Sequence, residues 1–130
     1  MHILAISGSL RAGASNTAVL QAAVLLSPPG VTITLYDGLG ALPHFNPDLD
    51  SPDGRALPAI VADLRSQVGQ ADALLISCPE YAHGIPGSFK NLLDWLVGIT
   101  ECPRRHRSGL NTSALSAHAR YEPAEVRPRM

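Results

Sequence analysis

The sequence predicts an α/β domain, doubly wound around a parallel sheet. Three observations carry this. The first hundred residues alternate strand and helix patterns in the order β-α-β-α-β-α. The first strand is a near-continuous apolar run, the mark of a strand covered on both faces. Loops rich in small and turn-forming residues follow the first and third strands. The length of 130 residues suits one domain and not two. With 45% hydrophobic and 16% charged residues, the chain supports a buried core and is not globally disordered.

His2 to Ser7 reads as the first strand, stopped by Gly8. A small, polar segment runs from Gly8 to Ser15. A helical pattern begins at Asn16, with Val19, Ala22, Ala23 and Leu26 at i, i+3, i+4 and i+7, and ends at Pro28-Pro29-Gly30. Val31 to Tyr36 alternates and reads as the second strand. The first 36 residues thus form a β-loop-α-β unit with an expected right-handed crossover.

Residues 37–58 hold four Pro, three Gly and four Asp, and read as a loop long enough to suggest a function. Residues 59–69 suit a helix with Ile60, Val61, Leu64 and Val68 inward. Ala71 to Ser77 is the third strand and Cys78 to Pro86 a loop. Gly87 to Val97 is a helix with Leu92, Leu93, Leu96 and Val97 on or near one face. The strand order expected for this winding is 2-1-3.

After about Thr100 the periodicity stops. Residues 101–130 contain no Ile or Phe, one Val and two Leu, and read as an irregular basic tail after a domain at 1–100. Residues 1–100 carry four cations against eight anions, net −4. The tail carries six Arg against three Glu, net +3. The overall charge of −1 argues against a nucleic-acid-coating protein. No apolar run approaches the roughly 18 residues of a membrane span, and the N-terminus lacks a basic signal-peptide start. Cys78 and Cys102 are too few for a disulfide framework and fit a reduced, cytoplasmic setting.

Two loops carry the chemistry. Gly8 to Thr17 joins the first strand to the first helix. A helix N-terminus there offers free N–H groups and a partial positive charge to an anion. Ser9, Ser15, Asn16 and Thr17 add hydroxyl and amide donors, and Arg11 adds a guanidinium fork suited to phosphate. The plainer reading is an ordinary Ser/Asn helix cap. The Gly8-x4-Gly13 spacing mimics a Walker A loop, but Ala14 stands where that loop needs Lys. No G-x-G-x-x-G is present, so the dinucleotide fingerprint fails. Donors for one phosphate point to a mononucleotide.

The second loop is Pro79-Glu80-Tyr81-Ala82-His83-Gly84-Ile85-Pro86-Gly87. It lies at the carboxyl end of the strand expected beside the first, so both loops border the topological switch point, where ligands bind. A stiff loop of two Pro and two Gly, with backbone N–H groups and Tyr81 to offer, suits a flat ring. A flat ring with a single phosphate is a flavin mononucleotide (FMN).

Several residues have bland readings. Cys78 has no Arg after the five residues that follow it, which excludes a C-x5-R phosphatase loop, and it reads as a small side chain at a strand end. His83 reads equally as a ligand contact or a solvated loop residue. Trp95 reads as core or interface. His2, His44, His106 and His118 are scattered without metal-ligand spacing.

Residues 7–17, Ser-Gly-Ser-Leu-Arg-Ala-Gly-Ala-Ser-Asn-Thr, resemble the G-S-x-R-x-x-S-x-N phosphate loop of NAD(P)H-dependent FMN reductases. Residues 79–95 resemble that family's P-E-Y-N-x-x-x-P-G-x-L-K-N-x-x-D-W signature, with Ala82 in place of Asn and Phe89 in place of Leu. The family has a flavodoxin-like fold and includes quinone, azo-dye and chromate reductases. The resemblance covers about residues 2–98. It implies that Ser9, Arg11, Ser15, Asn16 and Thr17 hold the FMN phosphate, and that Pro79, Glu80, Tyr81, Ala82, His83, Gly84 and Ile85 lie along the flavin ring. NAD(P)H would be the hydride donor and a small molecule the acceptor: a quinone, azo compound, metal oxyanion or free flavin. No catalytic acid, base or metal ligand is assigned in the protein. A homodimer or homotetramer is the expected assembly, with no nucleic-acid or membrane partner.

A flavodoxin-like sheet has five strands, and three are legible here. Two more βα units need about 60 residues of alternating pattern, which the tail does not supply. Its composition resembles a shifted reading frame, and a natural short variant is the rival reading. The alternatives to a reductase are a non-enzymatic FMN-binding or electron-carrier protein and, because strand three would be left as a bare edge, an inactive assembly fragment.

Overall fold

The computed structural model describes residues 1–51 and 55–97. Strands β1 (His2–Ser7), β2 (Thr32–Tyr36) and β3 (Ala73–Ser77) form one parallel sheet in the order β2-β1-β3, as expected. Helices α1 (Ser15–Leu25), α2 (Ala59–Gln70) and α3 (Gly87–Leu96) alternate with them. The expectations for residues 101–130 lie outside the described residues.

β1 is the central strand and is buried from Leu4 to Ser7, which is why its sequence is apolar on both faces. In the parallel register Leu4 faces the same way as Leu74, and Ile6 the same way as Ile76. Leu4 and Ile6 enter one core with Val61, Leu64 and Val68 of α2 and with Phe89, Leu92 and Trp95 of α3. Ala5, Ser7 and Ser77 alternate to the opposite face, where α1 lies. The winding thus places α1 on one side of the sheet and α2 and α3 on the other, and the order in which strands are added reverses at β1 and β3.

Two helix faces differ from expectation. On α1 the buried residues are Asn16 and Leu20, at i and i+4, while Val19 is 54% and Leu26 81% exposed. The rotation follows hydrogen bonds in the first turn. Thr17 Oγ1 lies 2.8 Å from Ser7 Oγ, and Asn16 Oδ1 accepts from Ser77 Oγ at 2.8 Å. On α3 the inward face is Phe89, Leu92 and Trp95, and Val97 is exposed.

The apolar surface of α3 is covered from within the chain. Residues 37–50, which include short 3-10 turns at Leu39–Ala41 and Pro47–Leu49, fold over it. Leu39 and Leu42 join the core, and the Phe45 ring meets Trp95 edge-on at 5.0 Å and 78°. Asn91 accepts from the Phe45 N–H at 2.7 Å and donates to the Pro43 carbonyl at 2.9 Å. Arg65 closes the far end, with a two-pronged bond to Asp50 at 2.8 Å and an Nε bond to the Trp95 carbonyl at 2.9 Å. The sequence shows the loop but not its role as the outer layer of the core.

Candidate functional site

The two loops singled out in the sequence leave adjacent strands at the same end of the sheet. Ser7 and Ser77 are register partners, and the Gly8 N–H donates to the Ser77 carbonyl at 2.8 Å. Gly8 sits where the strands' exits touch. A Cβ there would lie 2.4 Å from Cys78 Sγ and 3.1 Å from the Cys78 Cα, so any side chain would force the loops apart. Cys78 itself is half-buried, and burial raises its thiol pKa.

The first loop folds back on itself before α1 begins. Ser9 Oγ accepts from the Arg11 N–H at 3.3 Å, and the Arg11 carbonyl accepts from the Ala14 N–H at 3.2 Å. Gly13 takes a left-handed φ of 72°, which reverses the chain into the helix. The cap residue is Ala14, and no side chain caps the helix. The plain Ser/Asn-cap reading therefore fails. The first-turn N–H groups are left for an external acceptor, with the exposed Arg11 and Ser15 and the half-buried Ser9 around them. Asn16 is buried and Thr17 half-buried, and both side chains are engaged inside the protein.

The second loop contains a tight turn. Tyr81 and Gly84 exchange both backbone hydrogen bonds, at 2.9 and 3.0 Å, around Ala82 at φ 50° and His83 at φ 61°. Two successive left-handed residues define a type I′ turn, normally built from Asn, Asp or Gly. Ala82 and His83 are therefore strained. The N–H groups of Tyr81 and Gly84 are consumed by the turn, which narrows the donors expected to face a ring. Tyr81 (54% exposed) and Ile85 (46%) present apolar surface beside it. The His83 side chain is solvated and lies 3.6 Å from Glu80, which together with Pro79 is half-buried.

Leu10 belongs to the same surface and was not picked out from the sequence. It is 61% exposed, and a Cβ on Gly40 would lie 3.2 Å from it, so the 37–50 loop borders the first loop. Ser7 and Ser77 were also missed. The available signal was a hydroxyl residue ending an otherwise apolar strand. Among the described residues no three potential metal-ligand side chains come together. No described helix is long and apolar enough to cross a membrane.

An uncapped helix N-terminus and a tight turn border the crevice at the carboxyl ends of neighbouring parallel strands, the topological switch point of a flavodoxin-like α/β protein. The family model for NADPH-dependent FMN reductases matches residues 1–119, and the chain belongs to that family. It is 39% identical to an NAD(P)H-dependent FMN reductase of Pseudomonas aeruginosa, over 92% of this chain and 60% of that protein. It is 30% identical to a quinone reductase of Escherichia coli, over 79% of this chain and 54% of the other. Among solved structures it resembles FerB, a flavoenzyme NAD(P)H:(acceptor) oxidoreductase from Paracoccus denitrificans. The TM-score is 0.63 at 31% identity, covering 72% of this chain and 49% of FerB. The chain thus spans about half the length of such relatives.

Proposed function

We propose that the chain binds FMN in this crevice and serves as an NAD(P)H-dependent oxidoreductase for a small acceptor. The observation that carries the reading is the uncapped N-terminus of α1, after the loop with the exposed Arg11, at the same end of the sheet as the Tyr81–Gly84 turn. The donor set fits one phosphate. Arg11, the Ser9 and Ser15 hydroxyls and the N–H groups of Asn16 and Thr17 hold it, and no second phosphate site adjoins them among the described residues. Pro79 to Ile85 would lie along the ring, where Tyr81 and Ile85 would shield it from water and the N–H groups of Ala82, His83 and Ile85, which the turn leaves unused, would serve as donors. Bound FMN supplies hydride acceptance from a nicotinamide and hydride delivery to the acceptor. The protein's part is to orient the ring.

The same contacts also suit a second reading, an FMN-binding electron carrier without turnover. An absorbance spectrum of the purified chain and NAD(P)H-dependent bleaching of its flavin bands separate the two. Bleaching by NAD(P)H supports the reductase, and flavin that NAD(P)H leaves oxidised supports the carrier. A colourless chain that takes up no added FMN refutes both and leaves the assembly fragment. FAD bound at least as tightly as FMN overturns the single-phosphate reading.

A further inference from the structure

We infer that Asn16 and Ser77 are a positioning pair that fixes the spacing between the phosphate side and the ring side of the crevice. This rests on the FMN reading above. Asn16 lies in the first turn of α1, immediately after the phosphate loop, and Ser77 is the last residue of β3, two residues before Pro79. The two are 61 residues apart in sequence. Both are polar and buried, at 7% and 3% exposure, and Ser77 Oγ donates to Asn16 Oδ1 at 2.8 Å. The Asn16 carbonyl oxygen is therefore committed inward, to β3.

The surrounding bonds show why this one is special. Thr17 is tied to Ser7, and the Ser9 N–H approaches Ser7 Oγ at 3.4 Å, so these contacts hold α1 and its loop to β1. The Gly8–Ser77 backbone bond holds β1 to β3. Among the described residues, Asn16–Ser77 is the side-chain hydrogen bond that joins α1 directly to β3. FMN must satisfy both ends of the crevice at once, and the second contact is strong only if the first leaves it at the right distance. Breaking the pair at Ser77 lets α1 shift against the turn and leaves every proposed phosphate and ring contact in place, whereas Asn16→Ala also removes the Asn16 side-chain amide N–H donors, so Ser77→Ala is the deciding variant.

The test uses Asn16→Ala, Ser77→Ala and the double variant of the full chain, with FMN and riboflavin titrated by flavin fluorescence. Each single change is expected to weaken FMN binding about tenfold, and the double change no further, because all three break one bond. Riboflavin, which uses only the ring side, is expected to move less than about twofold. A general loss of structure would weaken both flavins, so this selectivity reads positioning. Ser77→Ala that leaves FMN affinity unchanged, or effects that multiply in the double variant, overturns the inference. Urea unfolding of the unliganded variants gives a readout free of flavin. Non-additive midpoint shifts support the pair, and additive shifts overturn it. A parent chain that binds no flavin sinks the functional reading alone, and the unfolding cycle still decides the pair.

Discussion

The indole Nε1 of Trp95 donates to the Pro43 carbonyl at 2.8 Å, and the same oxygen accepts from Asn91 Nδ2 at 2.9 Å. Two residues of the N-x-x-D-W signature thus anchor the 37–50 loop. Trp95 is fully buried, so it is no cofactor contact in this structure. Trp95→Phe removes the donor and leaves a void, at an expected cost of about 2–4 kcal/mol in urea unfolding. A loss below about 1 kcal/mol would show that the loop is held elsewhere.

Arg11 is expected to read the phosphate. Arg11→Ala should weaken FMN by about 1.5–3 kcal/mol, the range for a hydrogen bond to a charged group. Riboflavin should be nearly indifferent. Equal losses for both flavins, followed by fluorescence titration, would make Arg11 a support of the fold instead.

Ala82 holds φ 50° without the side chain that eases it. Ala82→Asn is expected to raise stability by about 0.5–1 kcal/mol, since Asn tolerates the left-handed region and suits a type I′ turn. Chemical denaturation decides, and a lower midpoint would show that Ala82 costs the turn nothing.

The Arg65–Asp50 pair predicts a pH dependence. Arg65 hydrogen bonds hold the Asp50 carboxyl below its usual range, with burial opposing them and the Arg65 charge adding to them. A depressed folded-state pKa gives stability that is present above the unfolded value, about pH 4. It is lost as pH falls through the folded value. Both side chains are about one-fifth exposed, so solvent screening limits the effect to about 1–2 kcal/mol. Asp50→Asn should therefore be less stable than the parent at pH 7, and the gap should shrink under acid. A gap that stays constant down to about pH 2.5 would remove Asp50 titration as its cause.

Assembly into a homodimer or homotetramer is expected from the surface left open. Val19, Leu25 and Leu26 of the α1 region are exposed, and β3 exposes Leu74 and is paired on its β1 side alone among the described residues. Apolar patches and open strand edges drive association. Light scattering at micromolar concentration measures it, and a monodisperse 13.7 kDa monomer would be the contrary result.

The sequence by itself determined the order of elements, the extent of β1 and the positions of both loops. Those features are local: an apolar run ends at Gly8, and Pro86-Gly87 punctuates the start of α3. It also carried the family motifs. Only the tertiary structure decided which face α1 turns inward. The stripe of Val19, Ala22 and Leu26 is the better apolar pattern, yet Asn16 and Leu20 are buried, because bonds to Ser7 and Ser77 set the rotation of the helix. Tertiary contacts likewise made residues 37–50 a cover for α3, through Pro43, Phe45 and Asp50 meeting residues far along the chain. Periodicity records what a segment can bury. The partner it buries against is fixed by residues tens of positions away, and no local pattern encodes that distance.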